Sequence, residues 1–402
     1  MYLKRLSLTD FRAFSRLDIE FPRRVILFTG ANAQGKTTIL EAISYLANFS
    51  SFHVSQDRQL LNFNMPVEPI MVGRIIGEFY SRGREHTLEV RFIQEYNGNS
   101  NQARFRKQVL LDGVPKRISN LYGHFNVVSF LPQMSRIIEG SPSDRRSYLD
   151  EILSQIEPGY VKSLSQFNKV IQQRNALLKT LFENNGDLRQ LEAWDNMLAT
   201  HGAVLMQGRI RALDELESHA FDVHQRLTRQ SEILRFVYTP SYDPYVNGGE
   251  QLSLPVSNEP NYSHLSLTEL EKGYKDALVL SRQTDLYRGS TSVGPHRDEL
   301  RFLSNGIDLG YYGSRGQIRT ALLSLKFAEV AWMKARSGET PVLLLDEIMA
   351  ELDPQRREEL LAIVNEVEQA LLTTTDLSMF PDAFVESCDK WNVHEGIVTR
   401  IV

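Results

Sequence analysis

The sequence predicts an α/β protein in which sheet-forming segments at both ends of the chain are separated by an inserted helical segment. Three observations carry that expectation. Up to Val128 the chain is dominated by strand patterns. Between Ser143 and Leu234 apolar residues recur at three- and four-residue spacing, as amphipathic helices require. After Arg297 strands and helices alternate, and "PVLLLDE" and "QALLTTT" read as the continuous apolar strands buried in a parallel sheet.

The elements follow in order. "YLKRLSLTDF" alternates, with Leu3, Leu6 and Leu8 among polar residues, and "RVILFTG" is a short buried strand running into a glycine. A helix is expected from Thr37 to Leu46. "IMVGRIIGEFY", "HTLEVRFIQEY" and "RFRKQVLLDG" read as antiparallel strands separated by turn-formers such as "NGNSN" and "DGVP". The middle segment reads as all-helical, broken at "ENNGD" (Glu183 to Asp187), and its heptads are too short-lived for a coiled-coil arm. Residues 239–265, rich in Pro, Gly, Asn and Ser, read as a mobile loop. The expected division is a first part at 1–140, a helical insert at 141–285, and a C-terminal part at 286–402 that rejoins the first.

Composition narrows the function classes. The chain has 402 residues, 42% of them hydrophobic, which suffices for a sizeable core. Its formal net charge of −5 excludes a polycation, so any nucleic-acid contact must use a local patch. A single cysteine, Cys388, cannot form an internal disulfide, and no Cys/His spacing resembles a zinc site. The start "MYLKRLSLTDFRAF" lacks the apolar core of a signal peptide, and no run reaches the roughly 18–20 apolar residues of a membrane span. A cytoplasmic protein without a membrane segment is the expectation.

The strongest chemical signal is "GANAQGKT": Gly30, Ala31, Asn32, Ala33, Gln34, Gly35, Lys36 and Thr37, followed by Thr38. It matches G-x-x-x-x-G-K-[ST] and lies between a strand and a helix, where that pattern forms a phosphate-binding loop. Gly30 and Gly35 let backbone N–H groups curl around phosphates without a Cβ clash. Lys36 supplies a point charge for the β- and γ-phosphates, and the Thr37 hydroxyl is a ligand for Mg²⁺. ATP and Mg²⁺ are therefore the expected cofactors. A second signal is the end of "PVLLLDE", where Asp346 and Glu347 leave a buried strand. Carboxylates at that edge lie beside the phosphate loop in such sheets. Asp346 is expected to hold Mg²⁺, and Glu347 to act as general base toward water. "ELD" (Glu351 to Asp353) follows, and Asp353 reads equally well as the cap of a helix with Pro354 at its first position. "GSRGQIRTAL", with Ser314, Arg315, Gly316 and Gln317, reads locally as a helix start whose N–H groups favour an anion.

Taken in order, phosphate loop, helical insert, "SRGQ", "LLLDE", "ELD" and "TTTD" resemble the ABC-type ATPases, in the arrangement of SMC-like and RecF-like proteins. "LKRLSLTDFRAF", "QGKTTILEAI", "SPSDRRSYLDEIL" and above all "VGPHRDEL" (Val293 to Leu300) resemble the RecF family, across nearly the whole chain. The chain departs from that pattern at Ala31 and Ala33 in the phosphate loop, in "FLPQM" (Phe130 to Met134), and in Asp346-Glu347 where many members carry two aspartates. The resemblance implies an ABC-type head with an antiparallel subdomain and an inserted helical domain. It implies a homodimer, formed head to tail on ATP binding, in which Ser314, Arg315, Gly316, Gln317 and Asp353 contact the partner's nucleotide. It also implies that Gln133 senses Mg²⁺, that Arg12 reaches the phosphates, and that Thr375 or Asp376 stands where transporters carry a switch histidine. His296 and Arg297 are open between a nucleotide contact and a turn fixed by Gly294-Pro295 with a buried Arg297–Asp298 ion pair.

Arg104, Arg106, Lys107, Lys116 and Arg117 cluster on one expected hairpin, with only Asp112 against them in sequence; Arg82, Arg84, Arg145 and Arg146 add smaller clusters. Charge alone favours a solvated face. The resemblance makes these candidates for sequence-independent contacts with DNA phosphates. It further implies double-stranded and gapped DNA, RecR and RecO as partners, slow ATP hydrolysis, and a role in replication and recombinational repair. The alternative is a related ATPase serving as a sensor or defence protein. A transporter motor is excluded by the long helical insert.

Overall fold

The computed structural model describes residues 1–66, 68–96, 103–244 and 262–401. Most of the expected loop at 239–265 and the "NGNSN" turn lie outside them. The chain divides into two compact units, Met1–Met134 with Glu329–Val402, and Ser135–Ala328.

The first unit opens with strands β1 (Tyr2–Phe11), β2 (Phe14–Glu20) and β3 (Val25–Thr29), helix α1 (Lys36–Asn48), and strands β4 (Ile70–Ser81), β5 (Arg84–Tyr96), β6 (Ala103–Leu111), β7 (Val114–Pro115) and β8 (Val127–Phe130). The second unit carries α2 (Arg136–Glu139), α3 (Pro142–Ile156), α4 (Pro158–Glu183), α5 (Glu192–Leu227), β9 (Leu234–Thr239), α6 (Leu267–Arg288), β10 (Glu299–Ser304), β11 (Ile307–Asp308) and α7 (Leu309–Tyr312). The division falls within α8 (Arg315–Ser337). The first unit then resumes with β12 (Val342–Asp346), α9 (Pro354–Glu366), β13 (Ala370–Thr374), α10 (Asp382–Ser387), β14 (Asp389–His394) and β15 (Ile397–Ile401).

Two sheets build the first unit. One is antiparallel, in the order β2-β1-β4-β5-β6-β7. The other runs β15-β14-β3-β13-β12-β8, with only β15 antiparallel to its neighbour. Helix α1 contacts both β4 and β12. That placement explains its composition: Ile39, Leu40, Ala42, Ile43, Tyr45, Leu46 and Ala47 are all buried, so it is apolar on several sides rather than along one stripe. Gly77 on β4 permits the approach, since a Cβ there would lie 2.4 Å from Leu46 Cδ1. The parallel pairing of β3, β13 and β12 brings Thr29, Thr374 and Asp346 to one sheet edge. β8 pairs with β12 through Phe130↔Leu345, so the chain enters the Gln133 turn at that same edge.

The second unit is not all-helical. β9, β10 and β11 form an antiparallel sheet in the order β11-β10-β9, pairing residues 234–239 with 299–304. This pairing is why the segment 286–328, expected with the C-terminal part, belongs to the insert. Helix α5 packs on α4 and α6, as the break at Glu183 to Asp187 allows. α3 begins with a capping box in which Ser141 and Asp144 satisfy each other's backbone N–H, with Pro142 at the first position.

Candidate functional site

The site is assembled in the first unit from α1, β12 and β13. Gly30, Ala33 and Gly35 adopt positive φ of 149°, 63° and 108°, which curls the segment between β3 and α1 into a loop. A Cβ on Gly30 would meet the Val393 carbonyl oxygen at 2.3 Å, and the conformation is strained for any L side chain. Gly35 caps α1 with no side-chain bond, leaving the first-turn N–H groups to face a ligand. Ala31, Asn32 and Ala33 are exposed, while Lys36 is buried.

The Lys36 ammonium donates to the carbonyls of Gly30 at 2.7 Å and Ala31 at 3.0 Å, and pairs with Glu347 at 3.0 Å. The Thr37 hydroxyl lies 2.8 and 2.9 Å from the two Asp346 oxygens. The expected phosphate-loop lysine, the Mg²⁺-ligating pair and the general base are thus brought into one cluster, although the residues are some three hundred positions apart. Glu347 sits in the left-handed region at φ 51°, a strained position of the kind that clusters at active sites. Its N–H donates to Thr373 Oγ1 at 3.0 Å, and Thr373 in turn donates to Asp346 Oδ1 at 2.7 Å. The strain is held by a specific bond and aims the carboxylate at Lys36.

Hard oxygen donors on Thr37 and Asp346, side by side next to a loop of N–H groups, suit Mg²⁺. That ion is characteristically held by one or two protein oxygens together with substrate phosphates. Residues and cofactor fit. Gln133 is partly exposed in the turn after β8.

Several roles differ from expectation. Arg12, at φ 54° between β1 and β2, gives its guanidinium to Glu41 on α1 through two 2.9 Å bonds. Glu41 is buried, so the pair fastens the β1–β2 turn to α1. Thr375 reaches Glu347 at 3.4 Å, whereas Asp376 caps a turn by accepting from Ser378 N–H. Asp353 caps α9 by accepting from Arg356 N–H, which realises the local reading of that residue.

Two contributors escaped the sequence reading. Thr373 holds both carboxylate-bearing residues, and β14–β15 buttress the loop: Glu395 N–H donates to Gln34 Oε1 at 2.6 Å. "TTTD" signalled the first; nothing local signalled the second. Burial pushes the Cys388 thiol up to about 11, so it is no nucleophile at neutral pH.

The signature segment lies in the second unit. Ser314 Oγ accepts the Gln317 N–H at 3.2 Å, and Gln317 Oε1 accepts the Ser314 N–H at 3.1 Å. This reciprocal capping box uses the Gln317 N–H that had been expected to face an anion.

The basic clusters are only partly available. Arg104, Lys116 and Arg117 are exposed. Arg106 pairs with Glu95 on the adjacent strand. Lys107 bonds Asp57, Tyr45 and the Phe49 carbonyl, and fastens β6 to α1. Arg82 donates to the Gly123 carbonyl and Arg84 to His86. Arg145 is buried against Glu299 and two carbonyls, and Arg146 donates to the Asp298 carbonyl. Except for Arg84, whose partner is two residues away, the partners come from other elements or turns that a linear reading of charge does not bring together.

The "VGPHRD" turn is a core feature of the second unit. Asp298 accepts from the Tyr238 hydroxyl and from Ser241 N–H at 2.7 Å; these bonds stand where one of the two readings of the turn placed an Arg297–Asp298 ion pair. Arg297 Nε donates to the Thr291 carbonyl instead. His296 Nε2 bonds the same carbonyl at 3.1 Å, and burial first, then nearby arginines, lower its pKa to about 4.

A parallel sheet, a phosphate loop with its acidic strand end, an antiparallel sheet beside α1 and a helical insert define an ABC-type ATPase head. The family model described as RecF/RecN/SMC N terminal domain matches residues 2–398. The DNA replication and repair protein RecF of Chloroflexus aurantiacus is 38% identical over 411 residues, covering 99% of each chain. That of Halothermothrix orenii is 35% identical over 401 residues, covering 100% of this chain and 99% of its own. A solved structure titled as the recombination mediator protein RecF with ATP in the RecFOR pathway is similar at a TM-score of 0.81 and 32% identity, covering 100% and 99% of the two chains. An SMC head bound to the C-winged helix domain of ScpA shares the fold, with a TM-score of 0.52 at 15% identity and coverage of 100% and 97%. The chain belongs to the RecF family.

Proposed function

We propose that this chain is an ATP-dependent DNA-binding protein of replication and recombinational repair. ATP closes a head-to-tail homodimer on double-stranded and gapped DNA, and slow hydrolysis releases it. The observation that carries this reading is the convergence of Lys36, Thr37, Asp346 and Glu347 in a chain similar over its full length to RecF proteins. The names and titles of those relatives support repair over the sensor or defence reading. The RecFOR pathway in the solved structure's title also supports RecO and RecR as partners, and the compartment of this reading is the cytoplasm; among the described residues no helix is long and apolar enough to cross a membrane.

In this reading the α1 N-terminus and the loop N–H groups bind the nucleotide's phosphates, and Lys36 exchanges its carbonyl partners for phosphate oxygens. Thr37 and Asp346 hold Mg²⁺, which when bound neutralises charge on the β- and γ-phosphates. Glu347 accepts the proton of the attacking water. Ser314, Arg315, Gly316, Gln317 and Asp353 face the partner's nucleotide. Arg104, Lys116 and Arg117 contact DNA phosphates.

The test is binding to duplex, gapped and single-stranded DNA over a salt series, with and without ATP. The expected result is ATP-enhanced, salt-sensitive binding. A triple R104A/K116A/R117A variant lowers the salt slope by about one per lost phosphate contact. No binding at low salt under any nucleotide condition would overturn the reading.

A further inference from the structure

The signature segment is held by a residue far from it in sequence. Glu232 lies between α5 and β9, with its side chain 20% exposed. Its Oε1 accepts from Gln317 Nε2 at 3.2 Å, and its Oε2 accepts from Ser304 Oγ at 2.7 Å. Its own backbone is anchored by Gln225 Nε2, which donates to the Glu232 carbonyl at 2.8 Å. The buried His224 ring stands 3.9 Å away and bonds Ser324 on α8 through Nδ1.

The chemistry of these groups removes an ambiguity. An amide side chain can present either its oxygen or its NH₂ to a neighbour. An ionised carboxylate only accepts, so the Gln317 NH₂ must face Glu232. The Gln317 carbonyl oxygen must then face the Ser314 N–H, where it closes the capping box. The orientation of Gln317, and through it the placement of the Ser314 hydroxyl, is set by Glu232. Ser304 and Gln225 keep Glu232 itself in place.

We propose that Glu232 is a positioning residue for the signature segment, orienting Gln317 and Ser314 toward the nucleotide of a second copy of this chain. The proposal rests on the reading of Ser314 to Gln317 as a contact to the partner's nucleotide. Glu232 does not touch that nucleotide; it acts through Gln317.

The experiment measures two quantities on full-length protein: monomer affinity for a fluorescent ATP analogue, and ATP-driven dimerisation by sedimentation. E232A should leave monomer nucleotide affinity unchanged, and E232A and Q317A should each weaken dimerisation on the order of tenfold, the scale of a hydrogen bond to a charged group. Because both act through one contact, E232A/Q317A should dimerise no more weakly than Q317A. E232Q, which keeps the shape but lets the amide pair flip, should fall between wild type and E232A, and it carries the test should E232A fail to fold. Additive losses in the double variant would overturn the proposal, as would wild-type dimerisation by E232Q. S314R separates the two levels. If it dimerises normally, the underlying reading falls and the proposal with it. If it abolishes dimerisation while E232Q does not impair it, only the proposal falls.

Discussion

The phosphate loop of the first unit and the Gly294–Asp298 turn of the second are both short glycine-bearing motifs that carry charged side chains. The structure uses their charges in opposite ways. Lys36 is buried, yet two of its three partners are carbonyls of the loop itself, beside the exposed residues Ala31 to Ala33, and the third, Glu347, is 27% exposed. In the proposed reading those contacts exchange for phosphate oxygens without opening a core. In the second unit, Arg174 on α4 pairs with Asp195 on α5 and Asp285 on α6, all fully buried, and also bonds Thr291 at 2.9 Å. Arg209 on α5 bonds Asp150 on α3 and the Pro295 carbonyl. Arg209 ties α3 and α5 to the turn, and Arg174 ties α4, α5 and α6 to Thr291 just ahead of it. A charged motif becomes a ligand site when its partners are local and near solvent; it becomes a framework when they come from several packed helices.

The largest expected effect breaks the first member of that comparison. Lys36→Ala should abolish ATP binding in a fluorescent-nucleotide titration while leaving the unfolding midpoint near that of wild type, because its partners are two carbonyls of the loop and the part-exposed Glu347, which water reaches. Unchanged affinity would remove the phosphate-loop assignment. Glu347→Gln should bind ATP normally and slow hydrolysis by about 10²–10⁴-fold in a phosphate-release assay, the usual loss on removing a general base. Normal turnover in that variant would reassign the base.

Arg174→Met breaks the second member. It strands Asp285 among neutral partners and should cost about 3–5 kcal/mol in urea unfolding, as expected for half of a buried ion pair. Nucleotide affinity should persist under native conditions. A loss below 1 kcal/mol, within the roughly 0–1 kcal/mol range of surface pairs, would mean that the network is solvated.

The smallest effect sharpens the same contrast. His296 has a folded pKa of about 4 against an ordinary value of 6.5. Between those values the unfolded chain binds a proton that the folded chain refuses. Stability is therefore fully present above pH 6.5 and lost as the pH falls toward 4, by about 3 kcal/mol for this group alone. His296→Gln should flatten that part of the stability profile. Identical slopes in the two proteins would show that the ring is charged in the fold.

The site was legible where its chemistry is local. "GANAQGKT" between strand and helix, and Asp346-Glu347 at the end of an apolar run, are each contiguous, and the parallel register of β3, β13 and β12 had only to place them at one edge. It was illegible where the partner is remote. Arg12 finds Glu41, Lys107 finds Asp57, Arg106 finds Glu95, and Gln317 finds Glu232, each through strand register or helix packing that no sequence window contains. The insert was misread as purely helical for the same reason: β9 follows directly on the long helical run, and its partner β10 was expected with the C-terminal part, so only their pairing places a sheet in the insert.

By itself the sequence determined the fold class, the phosphate loop, the acidic strand end and the kinship, because side-chain periodicity and contiguous motifs are properties of neighbouring residues. Only the tertiary structure decided which charges remain for a ligand. A charge is neutralised or left available by whatever lies within about 4 Å of it. In this chain that neighbour is often more than a hundred positions away, as when Arg145 meets Glu299 and Thr37 meets Asp346.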